Sequence, residues 1–326
     1  MKFRIKTKAG NAAGASAAPP SLEGLIPGKE GIEAFLNPEE RHNLNRLVLL
    51  SRYVVEGNLA GAHRSPLKGM SSEFADHKSY GMGDDPKHID WRVVARTDKY
   101  YVKRFEDETN LRVYLVVDRS ASMGYGSAGI SKYLYACRLA AALGYVVVKA
   151  RDSVGLCLHA DTVTLRMGAR NSIQHLHNMC KQLQSYEPDG GSAIAEALHE
   201  IAGSVRRRAM VVVLSDLLGD EKAVQQALGR LRRQRHDVIV LQILDPVELD
   251  LKIKQPHIFK DLESGETIQA SPREIIDAYQ KVFAEFVESY RTFCASLRID
   301  HRVVRTDEPV DLFTRAYLQE RRRLTA

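Results

Sequence analysis

The stretch Val116-Val117-Asp118-Arg119-Ser120-Ala121-Ser122-Met123-Gly124 decides how the chain is read. An apolar run, Leu111–Val117, ends on an acidic residue, and two serines follow at a spacing of two before the sequence turns helical again. Buried strands of a parallel sheet read as continuous apolar runs, because helices cover both faces. In open sheets of that kind, ligands sit beyond the C-terminal ends of the strands. Asp118, Ser120 and Ser122 therefore stand where a site is expected. One carboxylate and two hydroxyls around a tight turn are hard oxygen donors, suited to a small divalent cation such as Mg2+ or Mn2+.

Working outward, the grammar downstream of Leu111 is apolar strands alternating with amphipathic segments, the pattern of an α/β domain. Strands are expected at Leu111–Val117, Val154–His159, Met210–Leu214, Asp237–Leu244 and His301–Val304. Helices are expected near 131–150, 172–185, 192–204, 221–234, 272–297 and 310–321. A hairpin insertion is expected at about 246–271, with arms around His257–Phe259 and Thr267–Gln269 and a Ser264-Gly265 turn. Two of these elements carry further oxygen donors. Gly190-Gly191-Ser192 opens a helix, and Leu214-Ser215-Asp216 ends a strand. Taken singly, Asp118, Ser120 and Asp216 read equally well as helix or strand-end caps; their joint occurrence after separate strands favours one shared site.

Upstream, residues 1–39, rich in Ala, Gly and Pro through Pro19-Pro20, read as a flexible lead-in. Residues 40–110 form a smaller N-terminal segment, with one helix in the stretch Pro38–Gly57 and then irregular structure with short strands. The 326 residues, 44% hydrophobic and 27% charged, describe an ordinary globular protein with a core. A net charge of +6 is spread along the chain without a concentrated basic stripe, which disfavours nucleic acid as a partner. Cys137, Cys157, Cys180 and Cys294 show no C-x-x-C pairing and read as reduced, buried thiols. The longest apolar run, Leu139–Val148, is about ten residues against the roughly 18–20 of a membrane span. The basic N-terminus (Lys2, Arg4, Lys6, Lys8) lacks an apolar stretch behind it and is no secretory signal. A cytoplasmic location is expected, with no membrane partner.

The D-x-S-x-S, G-G-S and S-D elements resemble the von Willebrand factor A domain and its metal-ion-dependent adhesion site. That resemblance implies a Rossmann-like α/β domain at 111–326 with a mostly parallel central sheet flanked by helices. It also implies a metal site made by Asp118, Ser120, Ser122, Ser192 and Asp216, with Ser192 in place of the more usual Thr and Leu217 where a Gly commonly follows the last Asp. A longer resemblance runs from Phe74 to Gly124, through Tyr80-Gly81-Met82-Gly83-Asp84-Asp85-Pro86-Lys87-His88-Ile89-Asp90-Trp91, Ala95-Arg96 and Tyr101-Val102-Lys103-Arg104-Phe105. It is similar to the bacterial family called domain of unknown function 58, whose members are often encoded beside a MoxR-type AAA+ ATPase. The function implied is a non-enzymatic, metal-dependent protein-binding module. Its expected partner is that ATPase or a client of it, through a Glu or Asp that completes the metal coordination.

Two other classes compete. A metal-dependent phosphoester hydrolase would use Asp118 and Asp216 to hold its ion, but the residue two after Asp118 is Ser120, not the second Asp that an aspartyl-nucleophile phosphatase uses as acid and base. A nucleic-acid-binding module would use the basic runs Arg206–Arg208, Arg230–Arg235 and Arg321–Arg323, which lie near helix ends where cations favour the helix dipole. Gly124 and Gly129 have P-loop separation, but Ile130 and Ser131 stand where Lys and Ser/Thr are needed. His175 and His177, with His159 and Cys180 nearby in sequence, suggest a zinc site, but residues two apart on an expected helix do not share a face, and the pair reads as solvated surface. Asp84, Asp85, Asp90 and Arg96 read as turn chemistry before they read as a catalytic cluster.

Overall fold

Six apolar or half-apolar runs of the chain pair into one sheet, and the rest of the fold is what covers it. The computed structural model describes residues 3–6, 25–45, 73–81, 86, 89–106, 111–127, 129–250, 258–261, 267–269 and 272–325. In chain order the elements begin with β1 (Phe3–Lys6), α1 (Ile32–Phe35), α2 (Pro38–Asn45), β2 (Glu73–Ser79), α3 (Trp91–Thr97) and β3 (Tyr101–Glu106). Then come β4 (Arg112–Asp118), a 3₁₀ turn (Ala121–Gly124), α4 (Lys132–Lys149), β5 (Ser153–His159), β6 (Val163–Arg170), α5 (Ile173–Ser185) and α6 (Ile194–Ser204). They continue with β7 (Met210–Ser215), α7 (Glu221–Arg233), β8 (Asp237–Leu244) and α8 (Pro246–Asp250). Last are β9 (Ile258–Asp261), β10 (Thr267–Gln269), α9 (Pro272–Ser296), β11 (Asp300–Arg305) and α10 (Val310–Thr325). The chain forms two compact units, residues 1–55 with 111–326, and residues 56–110.

In the larger unit the sheet order is β11-β8-β7-β4-β5-β6. All neighbours are parallel except β6, which runs antiparallel along the edge. β4, β7 and β8 are buried along almost their whole length, as strands covered on both faces must be. Alternate residues of β4 face opposite ways. Tyr114 and Val116 join Val211, Val213, Leu228 and Tyr290 in the core under α6, α7 and α9, whereas Leu115 lies near Gly144 of α4. This mostly parallel sheet flanked by helices is the von Willebrand factor A-like architecture that the motifs implied. No helix among the described residues is long and apolar enough to cross a membrane.

Three features differ from the sequence reading. Residues 25–39, expected to belong to a flexible lead-in spanning 1–39, are folded onto the larger unit. Ile32, Ala34, Phe35 and Leu36 are buried, Arg138 of α4 donates to the Phe35 carbonyl at 3.2 Å and to Glu40 Oε1 at 2.5 Å, and Tyr145 Oη bonds Asn45 Oδ1 at 2.9 Å. The cause lies in α4, which is apolar nearly all round; such a helix must be covered on the side away from the sheet too, and α1, α2 and α10 do so. β1 likewise lies within the expected lead-in, where it pairs antiparallel with β9. β6 was not expected: it is a half-exposed edge strand, Val163, Leu165, Met167 and Ala169 alternating with polar or small residues.

The hairpin of the insertion forms between β9 and β10; His257 and the Ser264-Gly265 turn lie outside the described residues, as does all of the stretch after Asn45 in the helix expected within Pro38–Gly57. In the smaller unit β2 and β3 pair antiparallel. Asp90 caps α3 by accepting from the Arg92 amide at 3.0 Å, a structural role for one of the four residues that could suggest a catalytic cluster. Asp84 and Asp85 lie outside the described residues. Trp91 is exposed and meets the ring of Tyr100 edge-on, centroids 6.5 Å apart.

The β5–β6 pairing supplies a stability test. A Cβ on Gly155 would lie 2.8 Å from the Met167 carbonyl oxygen and 3.0 Å from both the Ala169 nitrogen and the Tyr114 ring, backbone that cannot yield without moving β6. Gly155→Ala is expected to lower the urea midpoint by the equivalent of about 1–3 kcal/mol, with faster amide exchange in β6 than in β8.

Candidate functional site

β4 is where the connections of the sheet diverge, leading by way of α4 to β5 on one side and, after β6, back to β7 on the other. The loops leaving β4 and β7 thus part at the topological switch point, the place where α/β sheets take ligands. Asp118 is the last residue of β4 and is fully buried. Its Oδ1 accepts the Ser120 amide at 2.8 Å; its Oδ2 accepts the Ser215 hydroxyl at 2.7 Å and the Ser192 hydroxyl at 3.0 Å. Ser120, just before the 3₁₀ turn, and Ser122, on it, place their Oγ atoms 3.1 Å apart, and the Ser122 side chain helps to hold the Asp216 carboxyl low. Of the five residues singled out in the sequence, Asp118, Ser120, Ser122 and Ser192 are joined directly by hydrogen bonds, and Asp216 stands beside them next to Ser122. Ser120 and Ser192 do not cap helices with their side chains; both turn inward.

Backbone lacing fixes the geometry. The Ala121 amide donates to Gly190 O at 2.9 Å, Asp189 N to Arg119 O at 2.8 Å, and Ala193 N to Ala160 O at 2.6 Å, so the loop carrying Ser192 is tied to the ends of β4 and β5. Gly190 has φ +74, and a Cβ there would run into the Asp161 carboxylate, which accepts the Gly191 amide at 2.5 Å. Glycine is required at that point. Beyond β7, Leu217 adopts a left-handed φ of 61, a conformation that a Gly would take without penalty. Its side chain is buried in the core and its amide bonds Ser215 Oγ at 2.9 Å, so packing supports the strained backbone. On the far rim Asp245, at the end of β8, accepts Ser127 N at 2.7 Å, Ser127 Oγ at 2.5 Å, Val247 N at 2.9 Å and Thr306 Oγ1 at 3.3 Å, holding the loop after the 3₁₀ turn.

The sequence reading missed an internal cation. Lys132, first residue of α4, is fully buried with its Nζ 2.8 Å from Asp216 Oδ2 and 2.7 Å from Glu248 Oε1. Burial opposes its charge, but the two carboxylates outweigh that and hold the ammonium above its ordinary range. Burial would raise Asp216, yet Lys132, the Leu218 amide and Ser122 hold it below the usual carboxylate range. Glu248 goes the other way: its burial and the neighbouring Asp216 outweigh Lys132. Asp216 is thus already neutralised, and it reaches the hydroxyl cluster through Ser122.

Asp118 has no such answer. Among the described residues the one basic group within 4 Å of its carboxylate is His159, whose Nδ1 is 3.9 Å from Asp118 Oδ1, and burial favours the neutral imidazole. A buried carboxylate that accepts the Ser120 amide and the Ser192 and Ser215 hydroxyls, with the Ser120 hydroxyl on Ser122 nearby, fits a small divalent ion, because hydroxyl oxygens can turn their lone pairs to it. Among the described residues no group of three or more His, Cys, Asp and Glu is gathered as a metal cage; the donors here are one carboxylate and neutral oxygens.

Removing Lys132 would strand the fully buried Asp216 carboxylate and the largely buried Glu248. Lys132→Met is expected to cost about 3–5 kcal/mol in urea unfolding, and adding Glu248→Gln to it is expected to recover part of that loss.

The family model described as "Protein of unknown function DUF58" matches residues 76–288. The uncharacterized proteins Rv1480 of Mycobacterium tuberculosis and Mb1516 of Mycobacterium bovis are each 30% identical to this chain over 232 residues, 70% of this chain and 73% of theirs. Among solved structures, the conserved hypothetical protein BatB from Bacteroides thetaiotaomicron is similar at 19% identity and a TM-score of 0.41, over 64% of this chain and 96% of BatB. The manganese-loaded TRAP protein of Plasmodium vivax is similar at 19% identity and a TM-score of 0.31, over 40% of this chain and 56% of TRAP. With more than half of its length matched by the family model, the chain belongs to the family of proteins of unknown function DUF58.

Proposed function

We propose that the chain is a non-enzymatic protein-binding module whose docking face is the C-terminal edge of the sheet around Asp118, and that binding depends on a divalent cation, Mg2+ or Mn2+. The observation that carries this reading is the buried Asp118 carboxylate, which at the switch point of the sheet accepts the Ser120 amide and the hydroxyls of Ser192 and Ser215 with no Lys or Arg paired to it among the described residues. Asp118 would supply the charge and Ser120, Ser122 and Ser192 the hydroxyl contacts. Asp216, occupied by Lys132, would act through Ser122 or a bridging water. A bound ion would offer an open position to an oxygen ligand, a Glu or Asp of the partner.

Two points weigh for binding over hydrolysis. The residue two after Asp118 is Ser120, engaged with Ser122, so no acid stands where an aspartyl-nucleophile phosphatase needs one. The second acidic residue, Asp216, is spent on an internal ion pair. The partner in this reading is a MoxR-type AAA+ ATPase or a client presented to it in the cytoplasm, as the sequence resemblance implies.

The test is retention of partners from the source cell's lysate by tagged protein in Mg2+ and in chelator, for the natural chain and for Asp118→Asn, with melting curves confirming that both are folded. An AAA+ ATPase retained in Mg2+ and weakened at least about tenfold by chelator or by Asp118→Asn is the expected result. Equal retention under all conditions would remove the metal from the interface. Turnover of a generic phosphate ester, lost in Asp118→Asn, would make the chain a hydrolase.

A further inference from the structure

Beside Asp118 lies a side chain with nothing to hold. His159 ends β5 in register with Asp118 on β4, and paired residues of neighbouring strands project to the same face. Its ring is fully buried, and neither ring nitrogen finds a hydrogen-bond partner among the described residues. Buried polar groups almost always have partners, and one that lacks them calls for a missing water or ion. The rest of β5 is apolar or small, Val154-Gly155-Leu156-Cys157-Leu158, so an apolar residue in this place would avoid the penalty altogether.

The surroundings select between the two species. At 3.9 Å, Nδ1 and Asp118 Oδ1 are too far apart for a hydrogen bond. The one buried ammonium in the network, Lys132, is committed to Asp216 and Glu248. A water would satisfy the nitrogen but leave the Asp118 charge unanswered, whereas a cation shared by the carboxylate and the imidazole satisfies both. Imidazole nitrogen is a donor for first-row transition metals, while Mg2+ takes oxygen.

We propose that His159 is a sixth member of the Asp118 site, giving a ring nitrogen to the bound ion, and that the resident ion is consequently a first-row transition metal, for which Mn2+ serves as the spectroscopic probe, and not Mg2+. This rests on reading the Asp118 network as a metal site and narrows its ion. Asp118 and His159 would be the strong ligands, with the serine hydroxyls completing the set.

The experiment titrates the chelator-stripped full chain with Mn2+ and with Mg2+ by calorimetry, for the natural chain, His159→Phe and Asp118→Asn, and records pulsed electron paramagnetic resonance of the Mn2+-loaded natural chain. Expected is tighter binding of Mn2+ than of Mg2+, nitrogen hyperfine coupling from a directly bound imidazole, and a loss of roughly 10–100-fold in Mn2+ affinity in His159→Phe with Mg2+ binding unchanged. Ion binding that needs Asp118 but shows no nitrogen coupling in the natural chain would overturn the role of His159 and leave the metal site standing. Failure of the natural chain to bind either ion, or undiminished binding by Asp118→Asn, would overturn the metal reading itself. The spectrum needs no variant, so a misfolded His159→Phe leaves the test intact.

Discussion

The structure turns on one buried negative charge. Asp118 closes the central strand of the sheet with its carboxylate out of water, and an isolated ionised carboxylate cannot be held there without hydrogen bonds. Those bonds come from the Ser120 amide and from hydroxyls at the end of β7 and before α6, so satisfying Asp118 draws two loops and the end of β7 to one point. The loop before α6 is then fixed by backbone bonds to the ends of β4 and β5, and its Gly190 accepts a backbone conformation that makes room for Asp161. The shape of the site follows from the need to keep one carboxylate satisfied.

Charge in the site is divided unequally. On the β7 side the chain supplies its own cation, and the Asp216–Lys132–Glu248 chain links the end of β7 to the start of α4 and to α8. Buried ion pairs are weak evidence of added stability, but breaking one is expensive, which ties α8 and the start of the insertion to the site. On the β5 side, Asp118 and His159 face each other at 3.9 Å without a hydrogen bond. A site filled on one side and open on the other is what a single small cation and an acidic partner group would complete.

Much of this was legible in the residues, for identifiable reasons. β4, β5, β7 and β8 stand out because buried parallel strands leave apolar runs, and Asp118, Ser120, Ser122, Ser192 and Asp216 stand out because each follows a local pattern at an element's end. β6 was hidden by its half-exposed edge position, although its period-two alternation was present. The order of residues 25–39 could not be read from those residues; it follows from α4, whose all-round apolar surface needs a cover. Lys132 and Glu248 carry no local signal, since their meeting with Asp216 spans 84 residues in one case and, between Lys132 and Glu248, 116. His159 was in view as the last residue of an expected strand, but its significance depends on the parallel register that sets it beside Asp118.

The central claim is that the Asp118 network holds a divalent cation. Anomalous diffraction from crystals grown with Mn2+ tests it most directly. The account predicts a manganese peak bonded to Asp118 and bordered by Ser120, Ser122 and Ser192, with Lys132 still on Asp216. Crystals soaked in Mn2+ that show no peak there, with the Asp118–Ser192 and Asp118–Ser215 hydrogen bonds unchanged, would contradict it.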